Sequence, residues 1–177
     1  MESRRWEAWV VHEIWLVGSM IALGVFQATL LPAPFGYPPA LLLVLIVCQS
    51  LLSVGSLTPD TDVLETLRRA IYGGLTLDVC GATPLGSHVL ALLLAATLIM
   101  TTTRQIRIGG LLLPLIATTV GGIVYELVLA LLYQLTSTPL VWLDYGIWIA
   151  LPGVLMTLIL GLPTFYLLRW RTALREA

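Results

Sequence analysis

"GGLTLDVCGATPLGSH", residues 73–88, sets one carboxylate, Asp78, into an apolar run and follows it with Gly81, Pro84 and Gly86. Glycine and proline in that order read as a helix end, a tight re-entry and a fresh helix start at Ser87-His88. Which solvent surrounds this hairpin decides what the carboxylate does. The answer lies in the residues on either side.

The chain has 177 residues, 58% of them hydrophobic and 11% charged, where soluble domains carry about 25% charged residues. Runs such as Trp9–Leu31 and Pro39–Leu57 reach the roughly 20 residues that cross a hydrocarbon core. They are too long and too evenly apolar for barrel strands. The expected fold is all-α: one polytopic integral membrane domain over residues 1–177, a six-helix bundle with spans near 9–31, 39–57, 69–83, 87–103, 109–134 and 146–168. The first run ends in Leu31-Pro32-Ala33-Pro34 without a cleavage-site pattern, and so reads as a retained signal anchor. The third and fourth spans are short, roughly 22–26 Å at 1.5 Å per residue, and Ser56–Glu65 reads as a small turn before Arg68 and Arg69.

The chain has no lysine, and its nine basic residues fall in four groups: Arg4 and Arg5; Arg68 and Arg69; Arg104 and Arg107; Arg169, Arg171 and Arg175. With six spans every group lies on one side and the connections 32–38, 84–87 and 135–145 carry none. The positive-inside rule then puts both termini in the cytoplasm. Trp6, Trp9 and Trp170 fall at the inner interface and Trp142, Tyr145 and Trp148 at the outer one, while Trp15 lies within the first span. Nothing in the charge pattern suggests nucleic acid.

Asp78 and Glu126 ask for an explanation, because an ion at bilayer depth costs at least about 2.5–3.5 kcal/mol. One reading joins Asp78, His88 and Glu126 into a proton relay or polar site. The other has Asp78 accepting hydrogen bonds from the 81–88 turn and Glu126 bonding a neighbouring helix. Glu13, near the inner interface, keeps its head in water by snorkelling. Gly18-x-x-x-Ala22 and Ala117-x-x-x-Gly121 are small-residue pairs that suit close helix packing, and Gly73-Gly74 lets a neighbour lie against the first turns of the third helix. Cys48 and Cys80 sit in apolar segments as small hydrophobes. No nucleotide loop, metal-binding spacing or nucleophile pattern occurs, so neither catalytic residues nor a metal or cofactor is expected.

The stretch "GGLTLDV" followed by "TPLGSH" resembles the Gly-Leu-x-x-Asp and Pro-Leu-Gly element of MreD, the bacterial rod shape-determining membrane protein family. The likeness extends over nearly the whole chain through its length, Gln27-Ala-Thr-Leu-Leu-Pro32, the proline-rich start of the second helix and the arginine-bearing tail. It carries over to Gly74, Leu75, Asp78, Pro84, Leu85 and Gly86, as residues that shape the protein or position a partner. The resemblance implies a bundle similar to the substrate-binding subunit of energy-coupling-factor transporters. It also implies a non-enzymatic scaffold in the cytoplasmic membrane that binds MreC and works with MreB, RodA and its partner transpeptidase in peptidoglycan synthesis. If Asp78 and the Pro84-Leu85-Gly86 turn fix how the hairpin packs, Asp78→Asn leaves expression nearly intact and Asp78→Leu impairs folding or partner assembly. The alternative is a vitamin-binding subunit of such a transporter, with Tyr37, Ser87, His88, Gln134, Thr136, Ser137, Thr138 and Asp144 around a ligand on the outer side.

Overall fold

The computed structural model describes residues 2–30, 40–54, 59–81, 83–105, 112–136 and 140–176. Among these residues the chain is helical and without strands. The helices are α1 (Glu2–Leu30), α2 (Leu41–Val54), α3 (Pro59–Cys80), α4 (Ser87–Gln105) and α5 (Leu112–Thr136). A sixth run, α6, starts as α-helix at Trp142–Tyr145, passes through a π-helical stretch at Gly146–Ala150 and continues as Leu151–Glu176. Among the described residues three segments are long and apolar enough to cross a membrane: Val10–Thr29, Leu112–Thr136 and Trp142–Trp170. Leu41–Ser53 and Ser87–Thr103 are shorter apolar helices. This is the composition of a membrane protein.

α2 is apolar on every side, and a helix of that kind belongs in the interior. It packs against each of the other five helices, and α1, α3, α4, α5 and α6 follow one another around it. Leu42, Leu43, Ile46, Val47 and Cys48 are almost wholly enclosed. The main core joins Leu43, Ile46, Val47 and Cys48 to Ala91, Leu92, Ala95, Ala96 and Ile99 of α4 and to Ala117, Tyr125 and Leu129 of α5. A second, smaller cluster holds α1 to the bundle through Leu16 and Met20, packed with Leu42 and Leu77.

The third helix differs most from the expectation. α3 begins at Pro59, ten residues before the predicted start, so residues 59–65 are helix rather than a turn, and it runs for 22 residues. Proline suits the first helical position, where no N–H is needed, and Asp62 lies in the first turn, at the positive end of the helix dipole. Glu65 then pairs with Arg69 one turn on. α4 is 19 residues long. The helices of this hairpin are longer than expected, but the added length of α3 is its charged first turns, and Ser87–Thr103 of α4 remains a shorter apolar helix. α6 likewise starts at Trp142 and ends at Glu176, beyond the predicted 146–168 at both ends. The expected limits at 31, 39, 55–57 and 109–111 lie outside the described residues.

Candidate functional site

α3 and α4 meet at a point where side chains have been removed. A Cβ on Gly74 would stand 2.6 Å from both the backbone N and Cα of Val89, and one on Gly73 would stand 2.9 Å from Leu42. Glycine at 74 is what lets the first turn of α4 approach the backbone of α3. Both glycines face their neighbours in the second half of α3 rather than in its first turns, since the helix starts earlier than expected.

That approach brings the end of α3 against the start of α4. The carboxyl of Asp78 has no exposed side-chain surface and collects the donors of the turn. Its Oδ2 accepts from the Gly86 N–H at 2.8 Å; its Oδ1 accepts from the His88 N–H at 3.0 Å, His88 Nδ1 at 2.8 Å and the Thr83 hydroxyl at 3.3 Å. The first N–H groups of a helix lack intrahelical partners, and here a carboxylate from the preceding helix does the work of an N-cap. The negative charge also meets the positive end of the α4 dipole. Gly86 has φ +96°, a backbone state that L side chains rarely adopt. The Ser87 N–H and hydroxyl both donate to the Pro84 carbonyl, at 3.1 and 2.7 Å. Leu75 and Leu85 point outward, Leu85 at 75% exposure. The six residues of the resemblance thus make a saturated turn with one apolar side chain at its tip.

Glu126 is elsewhere. Its Oε2 accepts from the Tyr145 hydroxyl at 2.9 Å, tying α5 to the start of α6. The ring of Tyr125 lies 6.1 Å from that of His88 and bridges the two regions. Among the described residues no hydrogen bond or ion pair joins Glu126 to Asp78 or His88, so the three do not form a continuous relay. The contacts of α5 with α6 run down one face: Thr118 against Gly161, Gly122 against Val154 and Glu126 against Gly153.

Glu13 differs from the expectation. It is bound to Arg68, 3.3 Å away, and accepts from the Tyr72 hydroxyl at 2.8 Å, so that it fastens α1 to α3 rather than reaching into water. Ala117 is buried, and Gly121 lies where a Cβ would meet Ile99 and Val47 at 2.9 and 3.0 Å, which is close packing. Gly18 and Ala22 do not pack inside the bundle: both face outward, and nothing stands within 4 Å of a Cβ on Gly18. α1 meets its neighbours through the opposite face, where Gly24 sits against Thr76. Of the outer polar residues, Ser87 and Thr136 bond backbone carbonyls, Gln134 and Asp144 are exposed, and Tyr37, Ser137 and Thr138 lie outside the described residues.

Sequence reasoning missed Gln27. Its amide oxygen, buried near the end of α1, accepts from the Leu42 N–H at 3.0 Å and caps α2 across the loop. The available signal was a lone amide closing an apolar run just before another helix start. Among the described residues no group of three or more metal-binding side chains occurs. Comparison of the chain with protein-family models, curated proteins and solved structures finds no match, so its function is argued from the geometry above.

Proposed function

We propose that this chain is a non-enzymatic membrane scaffold of the MreD kind. It crosses the bacterial cytoplasmic membrane six times with both termini in the cytoplasm, lies against lipid, and binds MreC within the complex that contains MreB, RodA and its partner transpeptidase. One observation carries the proposal: all four donors around Asp78 belong to its own turn. A carboxylate engaged in this way is committed to its own turn: it holds the Pro84-Leu85-Gly86 tip in one shape and presents Leu85 outward. A rigid tip with an exposed apolar side chain suits recognition of a membrane-anchored partner by packing.

Copurification of the tagged protein from gently solubilised native membranes, with mass spectrometry of proteins and small molecules, tests this. Recovery of MreC and wall-synthesis enzymes is the expected outcome, reduced for Leu85→Asp. Recovery of an ATPase pair and a bound vitamin overturns it in favour of a transporter subunit.

A further inference from the structure

Asp78, Glu13 and Glu126 have unequal partners, while Asp144 in the first turn of α6 is exposed. Asp78 accepts four hydrogen bonds. Glu13 has an arginine and a phenol. Glu126 accepts one hydrogen bond, from Tyr145, and no ion pair among the described residues includes it. Its Oε1 has no donor among the described residues and points at Gly153, where a Cβ would lie 3.2 Å from it. The opposing wall is itself short of donors. α6 is π-helical over Gly146–Ala150, and Pro152 just beyond has no N–H to give.

Among the described residues the surroundings supply no cation either. Tyr145 on α6 and Tyr125 and Tyr133 on α5 lie within electrostatic reach of Glu126. Asp78 on α3 reaches Tyr125 and Tyr133, and His88 on α4 is bound to Asp78. α2, which also packs on α5, brings only the Cys48 thiol, directed at the Gly161 carbonyl. At this depth an ion with a single neutral donor is poorly compensated, while a carboxylic acid needs only a proton on the free oxygen.

We propose that Glu126 is a proton-binding site: in the packed bundle its carboxyl carries a proton on Oε1 while Oε2 accepts from Tyr145. The proton is the ligand. Its release leaves a carboxylate that the α5–α6 contact does not satisfy, so occupancy of the site is tied to the seating of α6 on α5. This holds whether or not the chain is a scaffold.

Infrared spectroscopy of the full-length protein in lipid vesicles at neutral pH reads the site directly. The expected result is a carboxylic-acid carbonyl band in the wild type that shifts in deuterium oxide, disappears in Glu126→Gln and moves to higher frequency in Tyr145→Phe. An apolar carbodiimide then labels Glu126 and not Asp78. In that reaction the acid proton passes to a carbodiimide nitrogen, the carboxyl oxygen adds to the central carbon, and the acyl group migrates to nitrogen as a stable N-acylurea, with nothing leaving. Wild-type protein without an exchangeable acid carbonyl band at neutral pH overturns the proposal, and that result needs no variant to fold.

Discussion

Asp78 is most informative through what surrounds each oxygen separately. Oδ1 and Oδ2 both face donors, so asparagine in its place turns one acceptor into an NH2 group aimed at an N–H. Nearly intact expression of Asp78→Asn is compatible with a measurable loss of stability. Thermal unfolding in detergent should show Asp78→Asn destabilised by about 1–3 kcal/mol, the cost of a buried donor left unpaired. Asp78→Leu should fall further, because Gly86, His88 and Thr83 all lose their acceptor at once. A silent Asp78→Asn would mean that one of the two oxygens contributes nothing to the cap. Proximity in sequence made the Asp78 cap legible; Glu126, whose partner lies 19 residues on, offered no such cue.

Among the helices, glycines with similar local sequence have opposite roles. Gly74→Ala drives a methyl into the backbone of α4, which cannot yield as a side chain tip can, and should cost at or above the upper end of the about 1–3 kcal/mol typical of overpacking. Gly18→Ala meets open space and should be neutral or stabilising by up to about 1 kcal/mol, since alanine favours helix. Paired melting curves of the two variants check both. The contrast also marks the limit of sequence reading. A small residue at helical spacing states that close approach is permitted, and only the neighbour's position states whether it is used. For the same reason the Ala117 and Gly121 pair packs inward and the Gly18 and Ala22 pair does not. The early start of α3 was legible in Pro59 and Asp62, but those signals act through backbone electrostatics to which hydropathy is blind.

For the whole molecule, composition made the membrane class readable, because a bilayer demands long apolar segments of any sequence that crosses it. What sequence did not reveal is that α2 is the axle of the bundle, since centrality depends on all the other helices together. The two cysteines report on this arrangement. Cys48 is buried and Cys80 is exposed near the end of α3. In intact cells stripped of the outer membrane, a membrane-impermeant maleimide should label Cys80 and leave Cys48 untouched until the protein is denatured. Labelling of Cys80 only after the inner membrane is opened would reverse the assigned orientation.

Three acceptor side chains tie successive helix pairs: Gln27 to Leu42, Asp78 to Gly86 and His88, and Glu126 to Tyr145. In each the acceptor precedes its donors in the chain, so during synthesis the acceptor leaves the ribosome first and waits for its partner. Each pair of helices gains a polar tie as soon as its second member starts to emerge, and α1 is then fastened further when α3 brings Arg68, Tyr72 and Leu77 against it.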